Sequence, residues 1–191
     1  AIWPVNPRAQ SIAGLPCYPD VASLPGAPDA AIVLLGPERA EAAVRDLAER
    51  GCRAAIVLAS GYGEANADGA RRQEALKQAA GGMRLLGPNT IGLVNLTDGI
   101  MLSATGALEV GDLPTGRISV VSQSGGILGA LLSRAADRGI GFAKLVSTGN
   151  EADLDSSDLI AELLEDPATD VVAVYMEGLR RPEAFRQAAR R

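Results

Sequence analysis

The residues best suited to chemistry form a strand-to-helix turn with the sequence Ser-Gln-Ser-Gly-Gly at positions 122–126. Two hydroxyl groups and two glycines put no bulky side chain in the way of a ligand. The first N–H groups of a helix have no intrahelical acceptor, and the helix dipole favours negative charge beside them. We therefore predict a site for a phosphate or a carboxylate here, in preference to a turn that binds nothing.

Glycine and proline also follow other predicted strands. Ligands of doubly wound sheets bind at the carboxyl ends of the strands, so each of these segments is a candidate contact, although each alone also fits a plain turn. The segments are Pro-Val-Asn-Pro-Arg at 4–8, Gly-Pro at 36–37, Ser-Gly-Tyr-Gly-Glu at 60–64 and Gly-Pro-Asn-Thr-Ile-Gly at 87–92.

Acidic residues follow the last two predicted strands. The run Gly-Asn-Glu-Ala-Asp at 149–153 could hold a metal ion, but carboxylates beside a helix start are usually caps, and we favour caps. Glu177 stands where a carboxylate could orient a base or a phosphate acceptor, or could simply be solvated. We predict no metal site.

The chain contains no histidine. A histidine base, metal ligand or phosphohistidine would have to come from outside it. The signatures of dinucleotide dehydrogenases, P-loop kinases, thioredoxins and α/β-hydrolases are also absent from the sequence.

An aliphatic core must position these residues, because hydrophobic residues make up 47% of the 191 and aromatic residues only 3%. Short, continuous aliphatic runs alternate with amphipathic ones, which predicts a parallel, doubly wound α/β sheet. The predicted strands are 2–5, 31–35, 54–59, 84–86, 118–122, 143–147 and 171–176. The predicted helices are 38–50, 69–80, 125–137, 156–165 with Asp155 as its N-cap, and a last one with Pro182 in its first turn.

Residues 95–116 break this rhythm with several glycines and no clear helix. We place a domain junction near Thr115. Residues 1–115 then form a Rossmann-like domain, and residues 116–191 form a flavodoxin-like parallel α/β domain.

Charge and cysteine content limit the surroundings of the chain. The net charge is −5 without a basic cluster, so we expect no nucleic-acid partner. No apolar run approaches the ~18 residues of a membrane helix, and we expect no signal peptide. Two cysteines do not make a disulfide framework, and we expect a cytoplasmic protein.

Taken in order, segments along nearly the whole chain resemble those of the NDP-forming acyl-CoA synthetases, a superfamily that includes the α subunit of succinyl-CoA synthetase. The segments are Trp-Pro-Val-Asn-Pro at 3–7, Gly-Leu-Pro-Cys-Tyr at 14–18, Ser-Gly-Tyr at 60–62, Gly-Pro-Asn at 87–89, Ser-Gln-Ser-Gly-Gly at 122–126, Gly-Asn-Glu-Ala-Asp at 149–153 and Tyr-Met-Glu-Gly at 175–178. The resemblance implies a Rossmann-like CoA-binding domain followed by a flavodoxin-like ligase domain.

The resemblance also implies a reaction: a carboxylic acid, CoA and an NTP interconvert with acyl-CoA, NDP and phosphate. A phosphohistidine carries the phosphoryl group to an ATP-grasp domain or subunit, which binds ATP or ADP with Mg²⁺. We expect such a partner, and an oligomer.

Site residues carry over by position. The CoA site would be lined by Val5, Asn6, Pro7, Gly36, Pro37, Ser60 and Gly61. The phosphate would be held by Ser122, Ser124, Gly125 and Gly126, and Glu177 would steady the phosphohistidine. Gly129 stands where succinyl-CoA synthetase has a substrate tyrosine, which disfavours succinate as the acid.

Two parts of the family pattern are not in the sequence. The first strand with its diphosphate-binding glycine loop would precede Ala1, and the phosphohistidine segment would follow Arg191. We therefore expect the chain alone to be inactive in the full reaction, to bind CoA weakly and to leave part of its first sheet unpaired.

Two other functions fit the same residues. Regulatory regions of protein-lysine acetyltransferases resemble these synthetases but lack a working histidine and sense a ligand. A nicotinamide-nucleotide-binding domain is the third alternative.

Overall fold

The computed structural model describes residues 1–109 and 113–191. The strands are β1 (Ser11–Ile12), β2 (Leu15–Pro16), β3 (Ala30–Val33), β4 (Ala54–Val57), β5 (Arg84–Leu86), β6 (Gly92–Asn95), β7 (Ile100–Ser103), β8 (Thr115–Ser122), β9 (Phe142–Ser147) and β10 (Val171–Tyr175). The helices are α1 (Pro37–Glu49), α2 (Ala67–Ala80), α3 (Gly125–Ala136), α4 (Ser156–Glu165) and α5 (Pro182–Ala189), with a 3-10 turn at Gly106–Glu109.

A first sheet forms from three parallel strands in the order β3-β4-β5. Its core is mainly aliphatic, as the composition predicted, with Tyr62 as a buried aromatic ring. Helix α1 buries a stripe of small and branched side chains against it: Ala40, Val44 and Leu47. The predicted strands 31–35, 54–59 and 84–86 and helices 38–50 and 69–80 are confirmed within a few residues.

The second sheet has the order β10-β8-β9-β6-β7. Strands β10, β8 and β9 are parallel as predicted, but β6 runs antiparallel to both β9 and β7. Within residues 116–191 the strands are parallel, as predicted for the flavodoxin-like domain, whereas the antiparallel hairpin comes from residues 92–103, where no strand was predicted. The hairpin was missed because its strands are only four residues long and lie among glycines that favour turns.

The predicted break at 95–116 contains β7 and the 3-10 turn. Positions 110–112 of that stretch lie outside the described residues. Helices α3, α4 and α5 agree with their predictions, and Asp155 caps α4 in a full capping box with Asp158.

The predicted strand at 2–5 is wrong. Only Val5 pairs, in an isolated parallel bridge with Tyr18, while Ile2 is 76% exposed. Two prolines at 4 and 7 cannot donate to a sheet. Within the described residues, β3 has a strand on one side only, and Leu34 just beyond it is 72% exposed.

A segment of the second half covers the outer edge of the first sheet. Leu154 N donates to Leu85 O at 3.1 Å and Ala152 N donates to Gly87 O at 2.9 Å. The Asp153 carboxylate accepts from Leu85 N at 2.9 Å and from Arg84 Nε at 2.8 Å. Behind this seam, a cluster joins both sheets through the buried side chains of Ile56, Leu86 and Val146.

In the part of the chain that the structure describes, no helix combines the length and the apolar character that crossing a membrane requires.

Candidate functional site

The turn that leads from β8 into α3 is shaped by its own serines. Ser124 is the N-cap of α3, and its Oγ accepts from Ile127 N at 3.4 Å. Ser122 is fully buried. Its hydroxyl accepts from Ser124 N at 3.1 Å and donates to Ser124 O at 2.8 Å. The Ser122 side chain therefore holds the turn in shape, and Ser124 is the more accessible hydroxyl.

The two glycines begin α3, so their N–H groups have no acceptor within the helix. Gly125 packs tightly, since a Cβ there would lie 2.7 Å from Ile91 Cγ2. Gly126 is exposed and a Cβ would meet only Ser124 Oγ, at 4.0 Å. A groove of about 440 Å³ opens beside this helix start, lined by Ile91, Thr105, Gly106, Ala107, Gly125, Gly126, Gly129, Ala130 and Ser133.

Glu177 lies at the same edge of the sheet. β10 pairs with β8 with Tyr175 level with Ser122, so the residues that follow each strand are neighbours. The Gln123 Oε1 accepts from Glu177 N at 2.6 Å and from Gly178 N at 3.0 Å, and Gln123 Nε2 donates to Gly178 O at 2.8 Å. Glu177 itself is exposed. The structure therefore places the backbone of an exposed glutamate against Gln123, the residue before the N-cap of α3.

The acidic residues after β9 have structural partners. The preference for helix caps agrees with the contacts of Glu151 but not with those of Asp153. The buried carboxylate of Glu151 accepts from Ser156 N at 2.9 Å, at the start of α4, and from Thr148 Oγ1 at 3.0 Å. Asp153 instead pairs with Arg84 across the two halves. The hydrogen-bonded Arg181 guanidinium holds the pKa of the Asp155 carboxyl below its usual range.

The loops that follow β3 and β4 meet at the carboxyl end of the first sheet. Val33 is level with Val57, so the segments 36–37 and 60–61 leave the sheet side by side. Gly61 adopts φ +96°, and a Cβ there would lie 3.4 Å from Pro37 Cγ. Four of the predicted CoA-site residues are therefore together: Gly36, Pro37, Ser60 and Gly61.

Glu64 is a residue of this site that sequence reasoning missed. Its carboxylate accepts from Gly61 N at 2.5 Å and from Tyr62 N at 3.2 Å, so it sits on the N–H groups that an anionic ligand would use. Burial alone would raise the pKa of Glu64, but hydrogen bonds, first of all from Asn150, outweigh it and lower the pKa. Only the spacing Ser-Gly-Tyr-Gly-Glu could have signalled this loop closure.

Asn150, in the turn after β9, connects that turn to the loops that follow β4 and β5. Its Nδ2 donates to Glu64 and, at 2.9 Å, to Gln73 Oε1, while its Oδ1 accepts from Asn89 Nδ2 at 3.1 Å. Gly149 allows this approach, because its φ is +58° and a Cβ would lie 2.3 Å from Pro88 O. The predicted turns at 87–89 and 149–150 thus contact each other at the seam between the sheets.

Val5, Asn6 and Pro7 stand apart in their hydrogen bonding. Asn6 N donates to Tyr18 O at 2.9 Å, and Asn6 Oδ1 accepts from Arg8 N at 2.9 Å. Val5 is 42% exposed. This segment is partly exposed, and its backbone hydrogen bonds run to Tyr18 rather than to β3.

Comparison with known families gives one model for each half of the chain. A CoA binding domain matches residues 1–95. A succinyl-CoA ligase like flavodoxin domain matches residues 115–191.

Curated relatives match along the whole chain. An ADP-forming acetate–CoA ligase of Archaeoglobus fulgidus is 36% identical over 191 residues, which are 99% of this chain and 27% of the relative. A trans-feruloyl-CoA synthase from an unknown prokaryotic organism is also 36% identical, over all of this chain and 27% of its own length. The chain thus spans about a quarter of these two relatives.

Solved structures agree in fold. A dinucleotide-forming acetyl-coenzyme A synthetase of Ca. Korarchaeum cryptofilum, in complex with phosphate and ADP, superposes with a TM-score of 0.90 at 32% identity. The match covers 98% of this chain and 40% of that one. The predicted α/β fold, with a Rossmann-like half followed by a flavodoxin-like half, is confirmed.

Proposed function

We propose that this chain, which belongs to the NDP-forming acyl-CoA synthetase superfamily, is the CoA-binding portion of a larger acid–thiol ligase. The observation that carries the proposal is the open start of α3, where the N–H groups of Gly125 and Gly126 adjoin the exposed Glu177 loop. The N–H groups could bind a phosphate, and Glu177 could bind the histidine ring that carries the phosphoryl group. Phosphoryl transfer needs both contacts.

The reaction proposed for the whole protein is the reversible formation of acyl-CoA, NDP and phosphate from a carboxylic acid, CoA and an NTP. This chain has no histidine, so the phosphohistidine would come from outside it. ATP or ADP and Mg²⁺ would bind an ATP-grasp domain or subunit, in an oligomer. The solved relative in complex with phosphate and ADP supports the use of both ligands.

Phosphate would be held at the start of α3 by Gly125 N, Gly126 N and the Ser124 hydroxyl. Ser122 would act by shaping the turn, since its hydroxyl is occupied by the backbone of Ser124. Glu177 would steady the incoming phosphohistidine by accepting a hydrogen bond from its ring, which requires the exposed position that it has.

CoA would bind across the loops that follow β3 and β4, with Gly36, Pro37, Ser60 and Gly61 against the ligand. Val5, Asn6 and Pro7 would form a wall at the other side. A ligand group that accepts from Gly61 N and Tyr62 N would have to displace the Glu64 carboxylate, which accepts from both N–H groups. We place the boundary between the CoA-binding and ligase domains near Thr115, and the protein in the cytoplasm.

We propose an acid other than succinate, because Gly129, which lines the groove beside the proposed phosphate site, stands where succinyl-CoA synthetase has a substrate tyrosine. The relatives named for acetate and for trans-ferulate support acids of different size as candidates.

The phosphate site is tested by placing a negative charge in it. Gly126→Glu should abolish phosphate binding to the chain, which NMR titration measures. The glutamate side chain has room at this position, and its negative charge repels the phosphate. Gly82→Glu is the matched control, since a Cβ at Gly82 also meets open space but lies far from α3 in the fold. Equal phosphate affinities of the two variants would contradict the site.

The ligase assignment is tested on the complete protein with labelled ATP. Acid-labile phosphate on the protein, lost on addition of CoA and acid substrate, is the expected result. A protein that binds CoA without ever becoming labelled would instead be a ligand sensor of the acetyltransferase-linked kind. Thermal stabilisation by NAD and not by CoA would rule out both.

A further inference from the structure

Gln123 makes a three-point contact with the loop that follows the edge strand β10. One amide oxygen accepts from the N–H groups of Glu177 and Gly178, at 2.6 and 3.0 Å, and the amide nitrogen returns a hydrogen bond to Gly178 O at 2.8 Å. The Gln123 backbone N–H also donates to Tyr175 O at 3.0 Å. We call these contacts of Gln123 with residues 175–178 the glutamine clamp.

The clamp connects the two parts of the proposed phosphoryl site. Gln123 lies between Ser122, which shapes the turn, and Ser124, which caps α3. Its side chain reaches sideways to the neighbouring strand end and fixes the backbone from which the Glu177 side chain extends. On the loop side the amide of Gln123 contacts only backbone atoms, so these contacts do not use the Glu177 carboxylate.

A neutral amide is the side chain that suits this position. It offers an acceptor to two N–H groups and a donor to one carbonyl, which a carboxylate or an ammonium group cannot do together. A carboxylate at 123 would also add negative charge beside the phosphate and Glu177, and a cation would compete with the histidine for Glu177.

We propose that Gln123 is a positioning residue that fixes Glu177 relative to the phosphate-binding start of α3. The inference rests on the proposed function, because Glu177 has a part in phosphoryl transfer only there. Gln123 acts through Glu177 and touches no reacting atom.

Hydrogen exchange tests the clamp in the chain itself. The Glu177 and Gly178 amides should be protected, and Gln123→Met, which keeps the length and removes the polar atoms, should raise their exchange rates by about tenfold or more. Gln123→Glu retains an acceptor and should restore part of the protection. Gln78→Met is the control, since within the described residues the Gln78 side chain bonds only Glu74, one turn away on α2. Unprotected amides at 177 and 178 in the unaltered chain would overturn the proposal.

A double-mutant cycle in the complete ligase tests the consequence. Gln123→Met should slow phosphohistidine formation by about tenfold, with the KM for CoA unchanged, whereas in the Glu177→Ala background it should change the rate by less than about twofold. A tenfold effect of Gln123→Met in both backgrounds would show that Gln123 does not act through Glu177, and would overturn the proposal.

The two proposals fail differently. If Glu177→Ala slows phosphohistidine formation and Gln123→Met does not, only the role of Gln123 is wrong. If Glu177→Ala leaves the rate unchanged, the proposed role of Glu177 is wrong and the role of Gln123 falls with it. Circular dichroism of each variant shows whether a slow rate reflects a folded protein.

Discussion

Asp155 shows how one residue serves both a helix and a loop. It caps α4 through Ser157 N at 2.8 Å and Asp158 N at 3.1 Å, and it also binds Arg181 after β10. Its side chain is only 5% exposed, while that of Arg181 is 49% exposed. The residue type and its place before an apolar run predicted the cap. The partner Arg181, 26 positions away, could not be predicted, because it depends on how the strands are arranged.

A pH titration of stability should report this ion pair. Because the pKa of Asp155 is lowered in the folded protein, the stabilisation is complete above the ordinary pKa of 3.8 and is lost as the pH falls through the folded value. We expect Asp155→Asn, which keeps a capping side chain, to be less stable by about 1 kcal/mol at pH 7. Urea unfolding should show this difference in the free energy of unfolding shrinking toward zero as the pH falls through the pKa that Asp155 has in the folded protein.

Glu162→Gln is the matched control, because Glu162 is an exposed carboxylate on the same helix. Its difference from the unaltered protein should be small at every pH. A difference for Asp155→Asn that persists unchanged into acid would mean that the charge of Asp155 contributes nothing.

Helix α3 is the element on which the proposed phosphate site depends. It buries Leu128 and Leu132 against the second sheet, and leaves Leu131 41% exposed. The apolar spacing predicted this helix and its starting residue. The groove beside its first turn could not be predicted, since Ile91 and Thr105 flank the hairpin β6–β7, which the sequence did not predict.

Two neighbouring leucines of α3 should therefore differ sharply. Leu132→Ala should lower the free energy of unfolding by about 2–5 kcal/mol, because it leaves a cavity in the core. Leu131→Ala should change it by about 0.5 kcal/mol or less, as is usual at the surface. Urea denaturation measures both, and similar losses for the two variants would contradict the orientation of α3.

Across the whole molecule, the sequence predicted the order of the helices and most strands, and so the two halves. It did not predict how the halves meet. Residues 150–154 lie along β5, and the antiparallel hairpin β6–β7 extends the second sheet. Both arrangements depend on contacts between distant segments, whereas periodicity reports only local burial. The isolated segment at Val5 was likewise mistaken for a sheet strand because its composition is that of one.

The two halves should unfold together. Trp3, the only tryptophan, reports on the first half, and hydrogen exchange in β8 reports on the second. Leu86→Ala should lower the urea midpoint by the same amount whether it is followed by Trp3 fluorescence or by hydrogen exchange in β8. The free energy of unfolding should fall by about 2–4 kcal/mol, because Leu86 is buried in the cluster that joins the sheets.

Leu34→Ala is the control, because Leu34 lies in the first half and is 72% exposed. It should leave both midpoints nearly unchanged. If Leu86→Ala lowered the midpoint from Trp3 alone, the halves would be independent folding units.

The hydrogen bond between Asn150 and Glu64 connects the proposed CoA site with the proposed phosphate site. A ligand that displaced the Glu64 carboxylate from Gly61 N and Tyr62 N would also remove a hydrogen-bond partner from the Asn150 side chain. The backbone carbonyl of Asn150 accepts a hydrogen bond from Arg180, which lies three positions beyond Glu177. Ligand binding at the proposed CoA site would thus be coupled to the proposed phosphate site through the side chains of Glu64, Asn150 and Arg180 and the backbone of residues 177–180.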